Sequence, residues 1–388
     1  MTWRFLTSGE SHGRGLLVVV DGLPAGLELC LEDLASELAR RRRGHGRGPR
    51  MALERDEIQV WGGLRNGRTT GAPVGVALAN AEADQWASAM HPWHTSPEAV
   101  EARRVTAPRP GHADLAGALK YRHSDMRDVL ERASARTTAP RTVAGTLARR
   151  LLAHCGIAVR GAVLSIGGVS VPPPRDDAGW ERARTSPLGC ATEEGEAMLA
   201  APIDRARGEG DTLGGTFVVS VRGVPAGLGS GVEWDRRLDA RLGAALLSIP
   251  GIKGVEIGEA FAAAALTGSA VHDPIDGRGG EWRRPSNRAG GIEGGMSNGE
   301  EVVIRGAMKP IPTLRKPLPS FDVATGRSGA AHAERSDVCA VAAACVVGEA
   351  MVAWVLGGEL VEQFGGDTVE DLRDRLEAHR RRVKGWML

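Results

Sequence analysis

"APRPGHADLAGALKYRHSDMRDVLERASARTTAPR" (Ala107–Arg141) crowds arginines and a lysine around a turn histidine, in a chain whose 49 basic and 48 acidic side chains nearly cancel. Pro108 and Pro110 disfavour helix in the residues before them, so His112 belongs to a turn and a helix starts near Asp114. Just beyond, "RTVAGTLARRLLAHCG" (141–156) places Val143, Leu147 and Leu151 on one face and stops at Gly156, as a core-facing helix should. A charged loop therefore hands over directly to an element of the core.

Outward from there, four further helices are expected. They are "LEDLASELARRRR" (31–43), "EWDRRLDARLGAALLSI" (233–249), the apolar run Val338–Leu356 and "DTVEDLRDRLEAHRRR" (367–382). "GGELVEQFGG" (357–366) reads as a joint between the last two. Strand-like runs recur at 3–6, 16–20, 57–61, 74–79, 216–221 and 301–308. Many short strands mixed with a few helices predict one α+β body over residues 1–388 rather than a βαβ series. "VPPPRDDAG" (171–179) reads as a surface loop, and no repeat of fixed period occurs. The glycine-rich stretch 277–299 implies either backbone pressed close to something or a long loop.

Composition narrows the function. Apolar residues at 42% and charged residues at 25% are ordinary globular values, and a net charge of +1 makes any preference for anions local. Aromatic residues are only 4%, so a planar ligand has few rings to stack on. The five cysteines are scattered without CxxC spacing, which argues for a reducing compartment and against disulfides or a zinc site. The N-terminus lacks the apolar stretch of a signal peptide. Glu349 interrupts Val338–Leu356, so that run is expected to be a buried helix rather than a membrane span. A cytoplasmic protein without membrane contact is expected.

Four clusters stand out. "SGESHGRG" (8–15) carries His12 in a Gly-flanked turn, where a histidine is more often solvated than catalytic. "ARRRRGHGRGPR" (39–50) could be a solvated helix end, but Arg47 and Arg50 lie beyond it, where glycines let guanidiniums converge on one polyanion. RNA is an alternative polyanion for that run, weakened by the low net charge and few aromatics. The opening stretch contributes Arg109, His112, Asp114, Arg132, Ser134 and Arg136. Last come "MKPIPTLRKP" (308–317), rigid through its prolines, and "HAERSD" (332–337), whose Asp337 has N-cap as its structural reading. "HPWH" (91–94) lacks a third ligand, so no metal is expected. No GxGxxG follows a strand, and no GxxxxGK[ST] or GxSxG elbow is present.

Together, "GESHG" (9–13), "RRRRGHGRG" (40–48), "RPGHAD" (109–114), "RASAR" (132–136), "NRAGGIEGGMSNG" (287–299), "KPIPT" (309–313) and "HAERSDVCAV" (332–341) closely resemble the chorismate synthase family. The resemblance runs in order from residue 3 to about residue 360. It implies a lyase that converts 5-enolpyruvylshikimate 3-phosphate to chorismate and phosphate with reduced FMN, and it leaves open NADPH as the flavin's reductant. It also implies a homotetramer whose subunit is a β-α-β sandwich, with a helical layer between antiparallel sheets.

Residue by residue, the resemblance assigns Arg41, Arg47, Arg50, Arg109, Arg136 and Arg335 to the anionic substrate. His12 would protonate the leaving phosphate, His112 would supply a proton to the flavin, and Asp337 would act where the C6 proton is accepted. Arginines around His112 are expected to keep it uncharged without substrate. Flavin contacts fall on Arg132, Ala133, Ser134, Pro250, Gly251, Gly294, Asn298, Lys309, Pro310, Ile311, Pro312, Thr313 and Arg335. Two positions depart from the family pattern: Thr137 stands where Glu is usual, and Gly251 where Ala is common. Loss of that Glu is expected to loosen Arg136.

Overall fold

The computed structural model describes residues 3–48, 56–277, 282–334 and 336–386. One antiparallel sheet contains β1 (Arg4–Gly9), β2 (Gly15–Asp21), β3 (Glu57–Gly62) and β4 (Val74–Ala79) in the order β1-β2-β4-β3. The other contains β5 (Ala158–Ile166), β6 (Val169–Ser170), β7 (Gly215–Arg222), β8 (Ile252–Ile257) and β9 (Val302–Met308) in the order β8-β9-β7-β5-β6. Strict alternation in β2 buries Leu16, Val18 and Val20 and turns Leu17 and Val19 outward, so only one face of its sheet meets the core.

The helices are α1 (Leu31–Arg42), α2 (Ala83–Met90), α3 (Pro97–Arg103), α4 (Asp114–Tyr121), α5 (Arg127–Ala133), α6 (Thr138–His154), α7 (Asp177–Thr185), α8 (Glu193–Glu209), α9 (Leu238–Leu247), α10 (Val341–Phe364) and α11 (Val369–Lys384). Helices α6 and α10 pack along each other between the sheets, α6 against β2 and α10 against β5 and β7. Gly145 permits this: a Cβ there would sit 2.4 Å from the Ala350 carbonyl oxygen on α10. The expected α+β sandwich is therefore present, and its main apolar cluster draws on both sheets and the helices between them.

Three expectations change, and one strand was missed. Of 171–179, read as a surface loop, Val171 is buried and Asp177–Gly179 open α7. Helix α10 runs straight through Gly357 and Gly358, and no joint exists there. The two glycines thin the helix so that the Trp3 indole can lie on it; Cβ atoms would meet that ring at 2.9 and 2.7 Å. Trp3 also donates from Nε1 to the Trp354 carbonyl at 2.9 Å. The helix ends instead at Gly365, whose φ is positive. Residues 234–236 form a separate 3-10 turn, so α9 starts only at Leu238. Strand β5 escaped the pattern because α7 and α10 cover both its faces, which erases alternation.

The run Arg40–Arg43 lends the RNA reading no support. Consecutive helical residues point about 100° apart, and these four point to four different places. Arg40 turns inward to Glu349 at 2.8 Å and Glu37 at 2.7 Å, Arg42 reaches Asp56 at 3.2 Å, and Arg43 donates to the Thr185 carbonyl at 3.3 Å. Arg41 is buried at the edge of a cavity. These four described arginines form no common basic surface. Among the described residues, α10 is the one helix long and apolar enough to cross a membrane, and it is buried between the sheets. Its Glu349 is held by Arg40 and Arg149. In the glycine-rich stretch, residues 278–281 lie outside the described residues. Gly290 there presses on backbone, since its Cβ would lie 2.4 Å from the Gly258 nitrogen.

Candidate active site

A cavity of about 360 Å³ opens where the turn after β1, the end of α1, the turn before α4, the α5–α6 junction and the segments after α9 and β9 converge. His12, His112, Asp337, Arg41, Arg47, Arg109 and Arg136 all line it. So do Ala133, Ser134, Pro250, Gly251 and the whole stretch Lys309–Thr313. Residues more than 300 positions apart in the chain thus share one wall.

His12 is gripped by one carboxylate. Glu131 Oε1 lies 2.8 Å from its Nδ1, and Glu131 Oε2 accepts its backbone N–H at 2.7 Å. Burial pushes the Glu131 carboxyl up, but the hydrogen bonds and charge of His12 and the charge on Arg127 outweigh this and hold it below the usual range. An ionised acceptor at Nδ1 fixes that nitrogen as N–H and leaves Nε2 for the cavity. The His12 ring stacks on Trp86 with centroids 4.0 Å apart.

His112 repeats the arrangement. Its Nδ1 lies 2.5 Å from Asp114 Oδ1, in the turn that the two prolines predicted. Burial pushes the fully enclosed Asp114 up, yet hydrogen bonds from His112 and Arg109 outweigh it and hold the carboxyl well below its ordinary range. Besides the expected arginine, Arg109, whose Nη2 lies 3.1 Å from the His112 Nδ1, an anion stands at that nitrogen. Arg109 donates to Asp114 from Nε and Nη2 at 2.8 and 3.0 Å and to Thr313 from Nη1 at 2.9 Å, so its guanidinium is occupied by the protein itself.

Asp337 is not an N-cap; that position is Ala340. Its two oxygens instead take Arg47 Nη1 at 2.6 Å and the Gly48 N–H at 2.6 Å, which ties the end of the α1 loop to the segment before α10. Arg136 is not loosened by Thr137. It donates to the Asp56 carboxylate, to Asn80 Oδ1 at 3.0 Å and to the Ala79 carbonyl at 3.4 Å. A carboxylate, that of Asp56, thus pairs with Arg136, and Thr137 turns its hydroxyl to the Ser134 carbonyl at 2.8 Å. Gly251 has a φ of 85°, which glycine adopts without strain where alanine would not.

Other assigned residues sit elsewhere. Arg132 donates to the carbonyls of Thr7 at 2.9 Å and Gly9 at 3.1 Å, pinning β1 rather than lining the cavity. Gly294 and Asn298 belong to the hairpin around Ile292–Ser297 and form no part of the wall. Arg50 and Arg335 lie outside the described residues.

Sequence reasoning missed Glu131, Asp56, Trp86 and Glu334. Glu334 lies on the cavity wall. Burial raises its carboxyl, but His332 and Arg127, which bond it at 3.2 and 2.8 Å, bring it down to about 2. The Arg127–Glu131 spacing of four was a legible signal for one helical face. Nothing local announced Asp56, which is 80 positions from Arg136.

The donor set fits a flat, anion-bearing cofactor such as FMN. Leu130, Pro250, Met308, Pro310, Ile311 and Pro312 offer apolar surface without an aromatic ring, beside the cations Arg41, Arg47 and Lys309. Among the described residues there is no group of three or more His, Cys, Asp or Glu able to hold a metal ion.

The family pattern described as chorismate synthase matches residues 3–361. A chorismate synthase of Moorella thermoacetica is 54% identical, covering 97% of this chain and 98% of its own. One from Thermus thermophilus is 50% identical over 99% of this chain and 100% of its own. A crystal structure of a chorismate synthase superposes with a TM-score of 0.79 at 37% identity, over 99% of both chains.

Proposed function

The chain belongs to the chorismate synthase family, and from that premise we propose how its cavity turns 5-enolpyruvylshikimate 3-phosphate into chorismate and phosphate. The enzyme is a carbon–oxygen lyase acting on a phosphate ester: the C3–O bond breaks, a proton leaves C6, and the net redox change is zero. The substrate carries a phosphate and two carboxylates, and burying that charge without partners is prohibitive. Arg41, Arg47, Arg136 and Lys309 supply the compensating cations on the cavity wall.

His12 donates from Nε2 to the departing phosphate, which leaves more readily as its charge is neutralised. With Nδ1 held as N–H by Glu131, donation from Nε2 is made by the doubly protonated ring, whose orientation the carboxylate fixes. His112, fixed at Nδ1 by Asp114, leaves Nε2 to the same cavity as a second nitrogen able to carry a proton. Asp337 handles the proton lost from C6 and, through Arg47, aligns the substrate's anionic groups. Reduced FMN, when bound, supplies electron density that eases cleavage of the C–O bond. Pro250, Met308, Ala133 and Ser134 would hold it, together with Lys309–Thr313.

One observation carries the reading: two histidines, each anchored at Nδ1 by its own buried carboxylate, line a single arginine-rich cavity. The test is to mix the protein anaerobically with reduced FMN and substrate and to follow chorismate absorbance and phosphate release. Absence of phosphate release, with salt-sensitive retention of RNA instead, would replace the enzyme by a binding protein.

The outward face of the first sheet supports a homotetramer. Leu6 lies opposite Val19, Leu17 opposite Ala77, and all three larger side chains are exposed. An apolar face of this kind is expected to be covered by another copy. The five cysteines are free thiols, consistent with a cytoplasmic enzyme.

A further inference from the structure

Helices α2 and α3 form an excursion between β4 and Val105, and neither contains a buried residue. Trp93 on this excursion is 81% exposed. Trp86 is different. From α2 it stacks on the His12 ring at 4.0 Å with an interplanar angle of 28°. From α3, Arg103 places its guanidinium 3.7 Å from the indole centroid. Arg127, on the body of the protein, lies 5.1 Å from the same ring.

These contacts join into one assembly. Arg127 donates from Nε to the Arg103 carbonyl at 3.0 Å and from Nη1 to Glu131 at 3.3 Å and Glu334 at 2.8 Å. Glu131 is the residue that holds His12 Nδ1. The carboxylate fixes where one nitrogen points, but a ring held at one atom can still tilt. A stacked indole fixes the ring plane, and the two restraints together set the direction of Nε2. The indole face also attracts a cationic imidazole and keeps water off it.

We propose that Trp86, clamped by Arg103, is a positioning residue that holds His12 in its proton-donating orientation. This rests on the reading of His12 as the donor to the leaving phosphate. The stack is absent from the reacting groups, so its loss acts on turnover rather than on substrate affinity. Trp86→Ala is expected to lower kcat by roughly 10- to 100-fold with KM changed by less than about threefold. Trp86→Phe keeps a ring to stack and restores most of that turnover. Arg103→Ala leaves the indole in place and lowers kcat more mildly.

A double-mutant cycle shows whether the effect passes through His12. In a His12→Ala background, adding Trp86→Ala is expected to change kcat by less than about twofold. An equal loss in both backgrounds would overturn the proposal, because Trp86 would then act elsewhere. Normal turnover in Trp86→Ala beside an impaired His12→Ala enzyme would overturn this inference alone. Normal turnover in His12→Ala would overturn the donor reading and this inference with it.

Discussion

Asp114 Oδ1 lies 2.5 Å from His112 Nδ1, while the same carboxylate takes Arg109 through Nε and Nη2. A single buried anion therefore fixes a candidate proton donor and neutralises the cation beside it. Replacing it by Asn keeps the shape but puts an amide against two donors and leaves Arg109 short of charge. Asp114→Asn is expected to reduce kcat by roughly 100-fold. Breaking the buried pair is also expected to cost about 3 kcal/mol of stability. Steady-state kinetics and urea unfolding check the two parts separately; unchanged turnover in a folded variant would remove Asp114 from the mechanism.

Arg136 depends on Asp56 rather than on its sequence neighbour. Asp56→Ala frees the guanidinium and leaves Arg42 without that partner. KM for the substrate is expected to rise about tenfold, with a smaller change in kcat, since an anion-binding group is loosened and no proton is misplaced. Thr137→Glu would add a second carboxylate where one is already supplied, so it should not improve affinity. A large drop in KM in that variant would show that Asp56 does not do the work of the missing Glu.

These two cases mark what the chain reveals on its own. The His112 turn and α4 were legible because prolines act on the residue next to them. Strand β2 was legible because one of its faces meets solvent. Strand β5 was hidden because both faces are covered, and α10 seemed divided at Gly357 because its need for small residues comes from Trp3, over 350 positions away. The same distance problem hid the carboxylates. The residues assigned to ligands lie in recognisable motifs, whereas Glu131, Asp56 and Trp86 meet those residues through pairings that only folding creates.

Arg47 and Asp337 form another such pairing. Arg47→Ala is expected to raise KM for the substrate by roughly 10- to 100-fold, because it removes a cation from the wall. Asp337→Ala should lower kcat and also raise KM, since Arg47 and the Gly48 N–H lose their anchor. The double variant should show a KM effect smaller than the product of the two single effects. Fully multiplicative effects would mean that the two side chains act independently.

The ion cluster around Glu37 predicts how the fold responds to acid. Burial pushes this carboxyl up, but Arg149, Arg40 and Arg184 outweigh burial and bring it from 4.5 down to about 2. Its partners join three helices, since Arg149 lies on α6, Arg184 on α7 and Arg40 on α1. A depressed carboxyl stabilises the native state fully above its unfolded value, and that contribution is lost as pH falls from about 4.5 towards 2. The difference corresponds to about 3 kcal/mol. Glu37→Gln should therefore be less stable than the parent near pH 6, with the gap closing as pH falls through that window. Urea midpoints measured from pH 6 to 2 check this, and a gap that stays constant would mean that the carboxylate's charge contributes nothing to holding the three helices together.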